Sequence, residues 1–115
     1  MTRFQFDCIF YHVRDVEKAI SFYSDVLGFR LTSRDVVARF DIDGVLFELV
    51  PTQGGRDLGG KGNARLCLKV EDISQAVEYL KVKGIHAEQI QEVGNGKLTS
   101  IQDPDGNEIS LWQYD

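Results

Sequence analysis

This chain of 115 residues has no basic block, no long apolar run and no close pair of cysteines. Its 13 lysines and arginines are scattered among 18 acidic residues, giving a formal net charge of −5. Nothing in it tracks a phosphate backbone, so nucleic acid is excluded as an expected partner. No apolar stretch approaches the roughly 20 residues that span a bilayer. The amino terminus lacks the charged-then-apolar pattern of a secretory signal. A soluble, cytoplasmic protein with no membrane partner is therefore expected. The only two cysteines, Cys8 and Cys67, are far apart and in no Cys-x-x-Cys spacing, which removes zinc ribbons and thioredoxin-like redox pairs. Two reduced thiols packed in strands as small hydrophobes are expected instead. Apolar residues are not scarce: at 43% they suffice for the core of one domain and exclude general disorder.

What the chain does have is written twice. Asp41-Ile-Asp-Gly-Val-Leu-Phe-Glu-Leu-Val-Pro51 is echoed by Asp103-Pro-Asp-Gly-Asn-Glu-Ile-Ser-Leu-Trp-Gln113, offset by 62 positions (41 to 103 and 44 to 106). Asp-Gly beside an alternating run signals a two-residue hairpin, because a type I′ turn needs positive φ and glycine supplies it without a Cβ clash. Each copy thus ends in a hairpin, and Glu48 and Ser110 are equivalent positions. Earlier anchors agree at an offset of 57, since Val13-Arg14-Asp15 matches Val70-Glu71-Asp72.

The order of elements follows. Phe4 to Val13, rich in aromatic and β-branched residues, predicts a strand. Asp15 then caps a helix whose stripe is Val16, Ala19, Ile20, Tyr23, Val26 and Leu27, and Gly28 stops it. Strands are predicted at Phe29–Arg34, Val36–Ile42 and Val45–Val50. The second copy repeats the pattern: a strand at Ala64–Val70, a helix capped by Asp72 with stripe Ile73, Ala76, Val77 and Leu80, a stop at Gly84, then strands at Ile85–Gln91, Lys97–Gln102 and Asn107–Gln113. Between the copies, residues 52–62 carry five glycines in eleven positions and read as a connector. The expected fold is α+β, one domain over residues 1–115 made of two tandem βαβββ modules, 4–51 and 63–115.

Asp15-Val-Glu-Lys-Ala-Ile-Ser-Phe-Tyr-Ser-Asp-Val-Leu-Gly-Phe29 and Asp103-Pro-Asp-Gly-Asn-Glu-Ile-Ser-Leu111 resemble the vicinal oxygen chelate superfamily. That group holds glyoxalase I, extradiol dioxygenases, and the fosfomycin- and bleomycin-resistance proteins. The resemblance runs from the first strand to the carboxyl terminus. It implies two half-open sheets forming a ligand cleft with helices outside, frequently in a homodimer. It says little about the reaction, since that scaffold hosts many.

The resemblance also implies that metal-dependent members carry ligands on the first and last strands of each module, commonly His, Glu, His and Glu. Here the repeat pairs those positions as Cys8 with Arg65 and Glu48 with Ser110. Arginine offers no lone pair and stays charged. A unit charge about 4 Å away costs another cation on the order of 4 kcal/mol at an effective dielectric of about 20, and a divalent ion roughly twice that. No metal is expected; if one bound, Glu48 alone would be a suitable ligand. Glu48 otherwise reads as a carboxylate paired with Arg65.

Counting by twos along the strands puts Cys8, Phe10, His12, Leu46, Glu48, Val50, Arg65, Cys67, Lys69, Glu108, Ser110 and Trp112 on the cleft face. Ile9, Tyr11, Val13, Phe47, Leu49, Leu66, Leu68, Val70, Ile109 and Leu111 turn toward the helices. A two-residue turn at Asp43-Gly44 sets Arg39 opposite Glu48 and Asp41 opposite Leu46. The candidate ligand-binding residues are therefore Cys8, Phe10, His12, Arg39, Glu48, Arg65, Lys69, Glu108, Ser110 and Trp112. No residue is assigned a catalytic role. His12 reads as a general base or a rim residue, Trp112 as a stacking platform or an ordinary strand-end tryptophan, and Cys8 as a packed thiol or, with its pKa lowered by Arg65, a nucleophile. Asp103-Pro-Asp-Gly-Asn107 lacks the ligand ladder of a calcium loop and reads as a turn.

Three functions fit these residues. The favoured one is a metal-free protein that binds a planar or amphiphilic small molecule, as a homodimer and with no cofactor. The alternatives are a metal-dependent lyase, transferase or dioxygenase with displaced ligands such as His12, Glu48 and Glu108, and an interaction module whose Arg39, Glu48 and Arg65 simply close the cleft.

Overall fold

Two aspartates open the two helices. The Asp15 carboxylate accepts from the Lys18 amide at 3.1 Å and the Asp72 carboxylate from the Gln75 amide at 3.1 Å, each satisfying a backbone donor that the first helical turn leaves over. The first helix, α1 (Val16–Ser21), runs on into a π-helical turn at Phe22–Val26, and α2 spans Ile73–Val82. Gly28 (φ 77°) and Gly84 (φ 81°) take the left-handed conformation that ends each one. The computed structural model describes residues 3–52 and 64–115, so the glycine-rich connector expected at 52–62 lies, except for Thr52, outside the described residues. The chain divides into two compact units, Met1–Asp57 and Leu58–Asp115.

Each unit is a βαβββ module. In the first, β1 (Ile9–Val13), β2 (Arg30–Arg34), β3 (Ala38–Ile42) and β4 (Val45–Pro51) form one sheet in the order β1-β4-β3-β2. In the second, β5 (Leu66–Lys69), β6 (Gln91–Val93), β7 (Gly96–Gln102) and β8 (Glu108–Tyr114) are ordered β5-β8-β7-β6. The helical crossover makes β1 parallel to β4 and β5 parallel to β8, with Phe10 opposite Glu48 and Cys67 opposite Ser110. The second register is the first displaced along the repeat.

The expected alternation holds. Val13, Phe47, Leu49, Leu66, Ile109 and Leu111 are buried, while Phe10 is half exposed and Lys69 exposed. The first unit's core is aromatic: Tyr23 sits 5.0 Å from Phe47 and 5.9 Å from Phe29 between ring centroids, and Phe40 sits 6.1 Å from Phe47. Removing one of the fully buried rings, Tyr23, Phe40 or Phe47, costs about 3–5 kcal/mol. The second core is aliphatic, around Ile73, Leu80, Ile101 and Ile109.

Three expectations about element bounds are corrected. The first strand was predicted from Phe4, yet the ladder begins at Ile9, and Phe4 and Phe6 are 91% and 73% exposed. Its parallel partner explains this, because β4 starts at Val45 after the Asp43-Gly44 turn and leaves residues before about Asp7 nothing to pair with. Ile85–Gln91 was predicted as a strand, yet β6 is Gln91–Val93, set by a two-residue turn that pairs Val93 with Gly96. The two Asp-Gly turns also differ. Asp43 (φ 52°) and Gly44 (φ 88°) make the expected two-residue turn with Ile42 opposite Val45. In the echo, Gln102 pairs with Glu108 across a five-residue loop. The Asp103 carboxylate closes that loop by accepting from the Asp105 and Asn107 amides and the Asn107 side chain, each at 2.9 Å. It is a turn with its acceptors spent internally, as the missing ligand ladder implied.

Gly96 is small for a packing reason. A Cβ there would fall inside contact distance of the Gln113 carbonyl and the Trp112 indole, which lies over it. We expect Gly96→Ala to cost about 1–3 kcal/mol by overpacking and to shift the emission of Trp112, the sole tryptophan. Urea unfolding followed by fluorescence checks both, and an unchanged midpoint with unchanged emission would show that the indole does not rest on Gly96.

Candidate functional site

On the polar face of the first sheet the register places Arg39 opposite Glu48, as the turn length required. The charges then find each other: Arg39 Nε donates to Glu48 Oε2 at 3.1 Å, and Arg39 Nη1 donates to Asp35 Oδ2 at 3.1 Å. The other oxygen of Glu48 accepts from the Cys8 thiol at 3.7 Å. The Val37 amide and then Arg39 hold the Asp35 carboxyl below its usual range, and Asp35 in turn raises the Arg39 guanidinium. Sequence reasoning handed Glu48 to Arg65; the structure hands it to Arg39. The signal was available, since opposite charges directly across a ladder are the expected pair.

Cys8 is corrected in sign. Burial, then the Glu48 and Asp7 carboxylates, push its thiol above the ordinary cysteine value, whereas activation by Arg65 would have lowered it. The group is held as a neutral thiol donating to Glu48. Phe10 and His12 stack edge-on, 5.4 Å between centroids, on the same face of β1.

In the second unit, Arg65 precedes β5 and its Nη1 pairs with Glu108 Oε2 at 3.2 Å, the carboxylate side chain being 14% exposed. Both line a pocket of about 520 Å³ with Ser110, within the 300–1,000 Å³ typical of small-molecule sites. Leu98, Thr99, Ser100 and Gln102 of β7 line it too, as do Glu88, Gln89 and Gln91. Of the residues expected to bind ligand, the structure thus gathers Arg65, Glu108 and Ser110 here, and Cys8, Arg39 and Glu48 on the first sheet. Lys69 lies opposite Trp112 further along the two strands; neither lines the pocket. The β7 residues were missed because a two-residue turn at Asp105-Gly106 would have paired Ser110 with Ile101. The five-residue loop instead pairs Ser110 with Ser100, and a slip of one residue exchanges the faces of a strand.

The positions at which the resemblance implies metal ligands do not fit a metal. Arg65 brings a cation with no lone pair, and both Glu48 oxygens already accept hydrogen bonds, from Arg39 and Cys8. Among the described residues, no group of three or more His, Cys, Asp or Glu side chains comes together.

Comparison with known proteins adds the following. Residues 5–111 match the family model of the glyoxalase/bleomycin resistance protein/dioxygenase superfamily. No curated protein matches the chain significantly. Among solved structures, it is similar to TnmS3, an antibiotic binding protein from Streptomyces sp. CB03234, at 26% identity and a TM-score of 0.76, covering 100% of this chain and 99% of that one. A superfamily member from Sphaerobacter thermophilus DSM 20745 superposes at 0.81 with 23% identity over 96% of this chain and 98% of that one. The fosfomycin resistance protein FosX from Mesorhizobium loti superposes at 0.76 with 16% identity over 99% and 95%, a likeness of fold.

The Cys8 geometry makes a testable statement. A thiol whose folded pKa is raised contributes stability below its unfolded value and loses it as pH rises through the folded one. Removing the Glu48 charge should move the pH midpoint of Cys8 alkylation downward in Glu48→Gln, read by mass mapping of iodoacetamide adducts. An unmoved midpoint would show that the carboxylate does not act on the thiol.

Proposed function

The chain belongs to the glyoxalase/bleomycin resistance protein/dioxygenase superfamily, and from that premise we propose that it is a metal-free small-molecule-binding protein whose ligand enters the pocket of the second unit. The observation that carries this reading is Arg65. It stands where the superfamily resemblance implies a metal ligand, it cannot donate an electron pair, and it is matched by Glu108 at 3.2 Å inside a pocket of ligand size. The likeness to an antibiotic binding protein at 26% identity supports binding rather than turnover. The Cys8 thiol, held protonated against Glu48, lacks the thiolate that nucleophilic chemistry needs.

Purified without chelator, the protein should carry far less than one equivalent of any transition metal by elemental analysis. A full equivalent, retained through gel filtration, would overturn the reading.

The same reading takes the working form as a homodimer. Its support is the exposed aromatic pair Phe4 and Phe6 ahead of β1, an edge strand of its sheet, since such edges and apolar patches tend to be covered. Light scattering should return twice the 13.0 kDa chain mass, falling to one chain in the Phe4→Ser, Phe6→Ser double variant. A wild-type mass of one chain at micromolar concentration would remove this part of the proposal.

A further inference from the structure

Ahead of β1 stand Arg3-Phe4-Gln5-Phe6-Asp7. All five residues are exposed, and they lie outside the ladder, which begins at Ile9. Among the described residues, no backbone hydrogen bond is made to residues 3–7. They lead into the strand at one edge of the first sheet, so their main-chain donors and acceptors have no sheet partner within the unit.

The order of these residues is a palindrome in chemistry. About Gln5, phenylalanine answers phenylalanine and a cation answers an anion. Two-fold pairing of identical segments is isologous: residue i meets j, and j meets i. Two copies laid antiparallel with Gln5 opposite Gln5 put Phe4 opposite Phe6 and Arg3 opposite Asp7, each twice. Alternation then sorts the ribbon, with four rings on one face and two arginine–aspartate pairs on the other. Among antiparallel registers of this segment, only this one sets unlike charges opposite each other. A parallel in-register pairing would set Arg3 against Arg3 and Asp7 against Asp7. The rings, 91% exposed at Phe4 and 73% at Phe6, supply apolar surface to bury, and the charges fix the register. Asp7 also acts on the Cys8 thiol beside it, and a carboxylate with two oxygens serves both.

Resting on the reading of the working form as a homodimer, we infer that residues 3–7 form the register-setting contact between two copies of this chain. They pair antiparallel and centred on Gln5, with Arg3 of each copy opposite Asp7 of the other.

The test reverses the charges singly and together in the whole chain, each variant being checked for the wild-type amide spectrum. Arg3→Asp makes both ends of the segment acidic and Asp7→Arg makes both basic. Each alone should dimerise at least about tenfold more weakly than wild type by sedimentation equilibrium, because two attractive pairs become repulsive. Mixed one to one, the two variants should recover wild-type strength as a heterodimer, and so should the double reversal Arg3→Asp, Asp7→Arg. Mild oxidation of Gln5→Cys should give a dimer linked through position 5 of both copies, mapped by mass spectrometry. If wild type is a single chain, this inference and the homodimer reading fall together. Suppose instead that wild type is a dimer and the single reversals dimerise as strongly, or stay weak on mixing, or the position-5 link does not form. The homodimer then stands and this pairing is wrong.

Discussion

The period of two along β4 and β8 is the constraint on which everything else in these modules depends. Each strand follows an Asp-Gly turn and buries alternate residues: Phe47 and Leu49 in one unit, Ile109 and Leu111 in the other. Once those side chains commit to the core, the residues between them have no choice of face. Glu48 and Ser110 are thereby delivered to the polar side of their sheets at equivalent positions, opposite Phe10 and Cys67. The hydrophobic effect thus selects the address of the functional groups without regard to their chemistry, which explains how one scaffold serves many reactions.

What arrives at those addresses is matched locally. Glu48 is satisfied by the neighbouring strand through Arg39 and by the first strand through Cys8, while Arg65 has the Glu108 carboxylate as a counter-charge at 3.2 Å within its own unit. Both oxygens of the Glu48 carboxylate accept hydrogen bonds, and the Arg65 guanidinium has a counter-charge 3.2 Å away.

The two sheets have diverged in chemistry while keeping one register. The first bears an ion-pair chain from Asp35 through Arg39 to Glu48, and its core is a cluster of rings. The second has an aliphatic core and a pocket floored by serine and glutamine. The divergence is concentrated at the hairpins. The two-residue turn at Asp43-Gly44 sets Arg39 opposite Glu48; the five-residue loop at Asp103–Asn107 sets Ser100 opposite Ser110. Loop length therefore decides which residues share the pocket, just as alternation decides which face they occupy.

The repeat, the two βαβββ modules, both helix caps and the inward faces of β1, β4, β5 and β8 were legible in the residues, because helix caps and alternating burial are local and act within a few positions. The Asp43-Gly44 register was legible for the same reason. Only the tertiary structure decided where β1 begins, since that depends on how far its partner β4 extends. It alone decided that Asp103 would hold a five-residue loop and move Ser100 rather than Ile101 onto the pocket floor. It also decided which cation each carboxylate keeps, because Arg39, Glu48, Arg65 and Glu108 all carry the right charge, and only the spacing of neighbouring strands brings particular pairs to 3.1 and 3.2 Å. Charge and alternation are written residue by residue; partnership is a property of the folded sheet.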